Sequence, residues 1–130
     1  MMNTVSIETK NALIEATRKW IDRAEKVYGR HFGMPKVSFG VKGAVAGYAY
    51  YDRHEVDFNV QIFEENRQDF LNRTVPHEVA HRIAVMVYGR EQGKGHGKAW
   101  KYVMKVMFGL EPTRCHSYEV QHLKTRQVRR

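Results

Sequence analysis

The residues with the clearest chemical potential are two histidines and a glutamate in the stretch His77-Glu78-Val79-Ala80-His81. Because residues four apart lie on the same face of a helix, His77 and His81 can hold one metal ion between them. Glu78 projects beside that face, where it can take a proton from a water whose pKa zinc lowers to about 7. The spacing therefore predicts a zinc site with a general base, and the alternative is a polar helix that carries the pattern by chance.

A catalytic zinc site needs a third protein ligand and an open fourth position. His96 is the preferred candidate, because the motif helix should end near Gly89 and the seven residues from Gly89 to Gly95 can span roughly 20 Å when extended. That length is enough to return the chain to the metal. Glu91 is the weaker candidate because it lies within this predicted loop. A solvated loop histidine is the alternative interpretation of His96.

The positive charge is concentrated in the half of the chain that carries these histidines. Residues 1–70 hold ten basic and ten acidic side chains, whereas residues 71–130 hold twelve basic and four acidic ones, so the whole net charge of +8 lies there. This asymmetry favours a polyanion near the site, and we expect DNA, either single- or double-stranded, bound mainly through its phosphates. A solubility surface with a basic tail is the alternative, and the nearby aromatic residues are expected to belong to the core. The candidate contacts are Arg90, Lys94, Lys98, Lys101, Lys124, Arg126, Arg129 and Arg130.

The first half of the chain is predicted to supply a helix and a small sheet. Apolar residues at helical spacing predict an amphipathic helix over residues 6–28. Alternation of apolar and polar residues predicts strands near 36–42, 44–51 and 55–62, with a hairpin turn at 51–54.

The second half is predicted to be helical around the histidines. Residues 64–88 have a helical pattern interrupted at Pro76, so either a helix starts there or a longer helix is kinked. A following helix is expected over residues 98–108, opened by His96 and with Trp100 packed below the metal.

Residues 57–118 resemble the SprT-like metallopeptidases, the family that includes the DNA-dependent protease Spartan. The step of fifteen residues from His81 to His96, with a glycine directly after it, is more specific than the first motif alone. The matching stretches are His77-Glu78-Val79-Ala80-His81, Tyr88-Gly89-Arg90, His96-Gly97-Lys98-Ala99-Trp100 and Cys115-His116-Ser117-Tyr118.

The resemblance implies a zincin-like α+β fold with His77, His81 and His96 as ligands of one Zn²⁺ and Glu78 as the general base. Together with the patterns above, it predicts a single domain over residues 1–130. This domain would contain an N-terminal helix, a small three-stranded, mainly antiparallel sheet, the kinked motif helix and a following helix that carries the third histidine. His116 and Tyr118 match a family segment and are candidates for contacts to the substrate or the transition state.

The chain departs from many bacterial members of the family, which continue into a cysteine-rich zinc ribbon. With Cys115 as its one cysteine, we expect no second metal site here, and Cys115 is expected to be a small buried hydrophobe. No apolar run approaches the roughly 20 residues of a membrane span, and no signal peptide is apparent. A cytoplasmic location is expected, at the nucleoid if DNA is bound, and residues 120–130 are expected to form a partly disordered basic tail.

Three functions are compatible with these features. The leading hypothesis is a zinc-dependent endopeptidase that acts on DNA-associated proteins, with an extended substrate added to the edge of the sheet. The second is a nucleic-acid-associated zinc module without peptidase activity, which the intact Glu78 disfavours because a structural site needs no base. The third is a metal hydrolase with a non-peptide substrate, and nothing in the sequence names a pocket for one.

Overall fold

The computed structural model describes residues 5–112, 118 and 120. The bounds of the elements are α1 Ile7–Tyr28, β1 Lys36–Ser38, β2 Gly47–Ala49, β3 Glu55–Phe58, α2 Val60–Glu65, α3 Arg67–Asp69, a π-helical turn Phe70–Thr74, α4 Val75–Tyr88, α5 Arg90–Gly93, α6 Lys98–Tyr102 and a second π-helical turn Val103–Met107. The architecture is α+β, as the sequence predicts. Among the described residues, no helix has the length and apolarity that crossing a bilayer requires.

The N-terminal helix α1 is confirmed to within one residue of its predicted bounds. Ser6 caps it by accepting a hydrogen bond from the Thr9 backbone N–H at 3.1 Å. Gly29 ends it in the left-handed conformation with φ 65°, which glycine adopts without a steric penalty. Its buried stripe includes Leu13, Trp20 and Ala24, and this stripe packs α1 against α4.

The sheet has three strands, as predicted, in the order β1-β3-β2. The hairpin between β2 and β3 is confirmed by their antiparallel pairing, with Tyr48 opposite Asp57. The prediction of a mainly antiparallel sheet is wrong, because β1 pairs in parallel with β3, with Val37 opposite Val56. After β1 the chain crosses to the far edge to form β2, and the hairpin then returns β3 into the middle of the sheet.

The predicted third strand is too long, because it ends at Phe58 rather than at Ile62. Asn59 starts a helix there: its side-chain oxygen accepts from the Ile62 backbone N–H at 3.1 Å. The Asn59 amide also donates to the Gly43 and Val45 carbonyls, at 3.0 and 2.9 Å. Ile62 lies on α2 and is fully buried. An apolar residue at this position therefore fitted the alternation expected of a strand, although the backbone there is helical.

Where the sequence predicts a kink before the motif helix, the structure has the first π-helical turn. Helical backbone runs from Arg67 to Tyr88, and the Val75 N–H bonds to the Phe70 carbonyl five residues earlier. Pro76 follows in the first turn of α4, the part of a helix in which a residue without a backbone N–H is tolerated. The helix thus continues past the proline, and α4 packs against the edge strand β2.

Helix α4 is the centre of the domain and packs against α1, β2 and α5. Its core positions include Val75, Val79, Ile83 and Ala84, all of which are fully buried. Between β3 and the first π-helical turn, the ring of Phe70 packs edge-on against those of Phe58 and Phe63, with centroid distances of 5.8 and 5.3 Å. This packing fixes the helix that carries the two motif histidines against the edge strand β2.

The connection from α4 to the third histidine is more ordered than the extended loop that the sequence suggests. Residues Arg90–Gly93 form the short helix α5, in which the Gly93 N–H bonds to the Gly89 carbonyl at 2.7 Å. His96 lies two residues before α6 rather than within it, and Gly97 is the residue at the helix start. The chain therefore returns to α4 through a compact turn.

Candidate metal centre

The three histidines predicted as metal ligands converge on one point. The Nε2 atom of His96 lies 3.1 Å from Nε2 of His77 and 3.2 Å from Nε2 of His81. Three nitrogens bound tetrahedrally to one zinc at about 2.0–2.1 Å would lie about 3.3 Å apart. The ligand atoms of His77, His81 and His96 all lie within 4.8 Å of one another. The spacing fits a single ion held by three imidazoles.

Trp100 forms the floor of this centre, as predicted. Its ring centroid is 4.7 Å from the rings of both His77 and His96, and it stacks on His81 at 5.3 Å with an interplanar angle of 18°. The indole N–H donates to the His77 carbonyl at 3.2 Å. Because Trp100 is fully buried, it holds all three imidazole rings from one side and leaves the other side open.

The protonation state of His81 suits metal binding. Burial, reinforced by the charges of His77 and His96, lowers the pKa of His81 to about 2, so its ring is neutral at neutral pH. A neutral imidazole is the form that ligates metal. The Nδ1 atom of His81 is buried and has no hydrogen-bond partner among the described residues, so stacking on Trp100 is what orients this ring. The residues therefore fit a metal ion.

Glu78 lies beside the histidine trio without joining it. One of its carboxylate oxygens is 4.0 Å from Nε2 of His77, and only 6% of the residue is exposed. Burial raises the pKa of this carboxyl to about 8. A cation held by the histidines acts in the opposite direction, because a nearby positive charge favours the ionised form. The carboxylate is thus placed to exchange a proton at the centre.

A cavity of about 590 Å³ opens over the histidines and Glu78. One wall is the segment from Ala44 to Ala49, which includes the edge strand β2. The opposite wall contains Asn72, Thr74 and Tyr118. A cleft bounded by an edge strand on one side can receive an extended chain.

Tyr118, predicted from the family segment alone, does reach this cavity. Its hydroxyl is 2.9 Å from the Thr74 hydroxyl, and its ring stacks on Phe70 at 6.2 Å. Burial raises the pKa of this phenol above its ordinary value, so the hydroxyl stays protonated and can donate a hydrogen bond. His116 and Cys115 lie outside the described residues.

Gly47 is a site residue that the sequence analysis missed. An added Cβ at this position of β2 would lie 3.1 Å from Cγ and 3.3 Å from Oε2 of Glu78, tighter than ordinary packing. The absent side chain therefore leaves the space that the Glu78 carboxylate occupies. A glycine inside a predicted strand often marks a place where another segment approaches the backbone closely, and Gly47 lies inside the strand predicted over residues 44–51.

Gly93 and Tyr51, also missed, fix the position of the third histidine. A Cβ added at Gly93 would lie 2.4 Å from the Ala84 carbonyl oxygen and 2.6 Å from the Val85 Cα, so only glycine allows α5 to touch α4. The Tyr51 hydroxyl accepts from the Gly95 backbone N–H at 2.9 Å and ties the residue before His96 to the hairpin. Neither contact has a local sequence signal, because each joins segments far apart in the chain.

Arg82 braces the hairpin against the motif helix. This buried guanidinium donates to the Tyr50 carbonyl at 2.8 Å and to Nδ1 of His54 at 3.1 Å. Nε2 of His54 in turn lies 2.9 Å from the Gly33 carbonyl. Burial lowers the pKa of His54, which favours the neutral ring that accepts from Arg82. His54, to which the sequence assigned no role, therefore helps to hold the hairpin beside the site.

The predicted nucleic-acid contacts divide into two groups. Arg90, Lys94, Lys98 and Lys101 are exposed on the segment that carries His96, and none forms an ion pair with another residue in the described part of the chain. The remaining candidates lie outside the described residues; they are Lys124, Arg126, Arg129 and Arg130.

Comparison with known proteins identifies the family. The model of the SprT-like family matches residues 17–116. Protein SprT of Pseudomonas putida (strain GB-1) is 40% identical over 113 residues, which cover 87% of this chain and 68% of that protein. Protein SprT of Pseudomonas aeruginosa (strain LESB58) is 42% identical over 118 residues, covering 91% of this chain and 69% of that protein. A search of solved structures finds no significant match. The chain belongs to the SprT-like family.

Proposed function

We propose that this protein is a zinc-dependent endopeptidase in which His77, His81 and His96 hold the metal and Glu78 is the general base. The observation that carries the proposal is the convergence of three imidazole Nε2 atoms at 3.1–3.2 Å, with a buried carboxylate beside them on the floor of an open cavity. A structural zinc site is closed by four protein ligands, whereas a catalytic one keeps a position open. No fourth histidine, cysteine or acid joins the trio among the described residues.

The side chains of the site divide the work of peptide hydrolysis between them. Bound zinc would lower the pKa of a water molecule and polarise the substrate carbonyl. Glu78 accepts the proton from the attacking water and delivers it to the leaving amine. The hydroxyl of Tyr118 is a candidate donor to the negative charge that develops on the carbonyl oxygen, because it lies in the cavity wall and stays protonated.

The cavity supports a polypeptide substrate in extended form. Strand β2 is at the edge of the sheet, so its outer backbone groups are available to pair with a further strand. Such pairing takes most of its affinity from the backbone, and cleavage should therefore depend weakly on substrate sequence. The exposed cations beside His96 favour substrates that are held on a polyanion, and we infer that these are DNA-associated proteins.

The test is cleavage of casein and of histones, with and without DNA and with and without a zinc chelator. The wild type should cleave in the presence of zinc, and Glu78→Gln should retain zinc and lose most of the activity. Glu91→Gln is the matched control, because Glu91 is an exposed acid on α5 and does not belong to the histidine trio. Full zinc occupancy without cleavage of either substrate would support the alternative, a zinc-binding module that associates with nucleic acid.

A further inference from the structure

A second concave surface lies on the outer side of α5 and α6, away from the histidine cavity. This groove has a volume of about 560 Å³, and the side chains that line it are Tyr88, Gln92, Lys98, Ala99 and Tyr102. Tyr102 is 44% exposed, although the sequence analysis expected the aromatic residues of this region to lie in the core. Trp100 and Phe108 do lie in the core. The groove therefore presents a partly exposed aromatic ring to solvent.

The surface around the groove is strongly basic. Residues 90–107 contain five cations and one acid, Glu91. All five cations are exposed, and none forms an ion pair with another residue in the described ranges. Lys98, Lys101 and Lys105 are the three on α6 and the π-helical turn that extends it, and they flank Tyr102. Their charge is therefore available to an anionic ligand.

We propose that this groove binds single-stranded nucleic acid, with bases stacked on Tyr102 and phosphates contacting the lysines of α6. Exposed aromatic rings beside unpaired cations are the two components of sequence-tolerant single-strand sites. A duplex could use the lysines alone, because its bases are already stacked inside the helix and cannot reach Tyr102. An apolar protein partner is disfavoured by the five cations, which would have to be desolvated or matched.

The two tyrosines of the groove differ in their contacts. The Tyr88 hydroxyl lies 3.2 Å from the Tyr28 hydroxyl, which holds Tyr88 at the back of the groove. Tyr102 lines the same groove and is 44% exposed, so part of its ring is accessible to a base. Gln92 offers an amide that can hydrogen-bond to base edges. This inference extends the proposed polyanion contact and does not depend on peptidase activity.

The experiment measures binding of the full chain to fluorescent oligo-dT, oligo-U and a duplex of equal length by anisotropy at low salt. We expect both single strands to bind more tightly than the duplex. The ratio of the affinities for oligo-dT and oligo-U reports whether deoxyribose or ribose is preferred. Tyr102→Ala should weaken single-strand binding by roughly 5- to 150-fold, the range for loss of one stacked base, and leave duplex binding within about twofold. Tyr102→Phe should restore it, since the ring is what stacks.

Two matched controls isolate the groove. Tyr48→Ala removes a tyrosine of similar exposure, 46%, on strand β2, and should leave single-strand binding unchanged. Lys98→Gln should reduce the slope of log affinity against log salt by about 0.7 on single strands, whereas Lys10→Gln, an exposed lysine on α1, should not. The proposal is overturned if duplex binds as tightly as single strands, or if Tyr102→Ala binds single strands as the wild type does. Because binding is measured without a substrate protein, either outcome leaves the peptidase test independent.

Discussion

The substitution Gly93→Ala should weaken metal binding while leaving the protein folded. The new Cβ would lie 2.4 Å from the Ala84 carbonyl oxygen, and ordinary contact begins at 3.4 Å, so α5 must move by about 1 Å. His96 follows three residues later, and ligand distances tolerate only about 0.2 Å. We therefore expect zinc affinity to fall by at least the roughly 10- to 100-fold typical of disturbed supporting contacts.

Stability should fall much less than metal affinity. Overpacking of this kind costs about 1–3 kcal/mol, against a total of about 5–15 kcal/mol for a domain, so most molecules remain folded. Zinc affinity is measured by competition with a chromophoric chelator, and folding by thermal melting of the metal-free protein. Gly97→Ala is the control, because Gly97 lies in the same connection and an added Cβ there meets nothing within 4 Å. Unchanged zinc affinity in Gly93→Ala would refute the account of how His96 is positioned.

Three further predictions concern the side chains around the metal. Gly47→Ala should lower kcat by roughly tenfold with zinc affinity unchanged, because the new Cβ would displace Glu78 by less than the 1 Å that costs about 100-fold. Gly40→Ala should leave kcat unchanged, because the nearest atom to its added Cβ is at an ordinary 3.7 Å, and equal rates in the two variants would disprove the contact. Tyr118→Phe should reduce kcat by about 10²–10³ if its hydroxyl stabilises the oxyanion, whereas Tyr48→Phe on the opposite wall should not; wild-type turnover in Tyr118→Phe would eliminate that role. Metal-free Glu78→Gln protein should lose stability as pH falls below about 6.5, by at most about 1.4 kcal/mol per pH unit from His81, because the unfolded chain binds a proton there that the folded ring, with its pKa of about 2, does not. The variant is used because burial raises the pKa of Glu78 to about 8, so in the wild type the folded chain takes up a proton at Glu78 over the same range and offsets the loss; thermal melts of the variant across pH 7 to 5 with no change in Tm would contradict this.

The parts of the structure that the sequence predicted are those governed by local patterns. The bounds of α1 follow from its apolar spacing and from the caps at Ser6 and Gly29. The pairing of His77 and His81 follows from helical geometry, and the return of His96 follows from a connection long enough to reach them. Trp100 could be placed below the metal because its position on the following helix fixed the direction of its side chain.

The parts that were missed depend on contacts between distant segments. A buried Ile62 fits a strand and a helix equally well, and only the cap formed by Asn59 decides between them. The parallel pairing of β1 depends on where the crossover places β2, which no local pattern records. Gly93 resembles any loop glycine until the backbone of Ala84 is beside it. The exposure of Tyr102 likewise depends on which face of α6 the core covers.

The measurement that tests the central claim most directly is X-ray absorption spectroscopy of the zinc-loaded protein, with zinc content determined on the same sample. We expect one zinc per chain with three imidazole nitrogens at about 2.0–2.1 Å. We also expect that one imidazole is lost in His96→Ala and none in His54→Gln, a histidine that the structure places on Arg82 instead. A first shell with fewer than three imidazoles in the wild type, or one unchanged by His96→Ala, would contradict the assignment of His77, His81 and His96 as the metal centre.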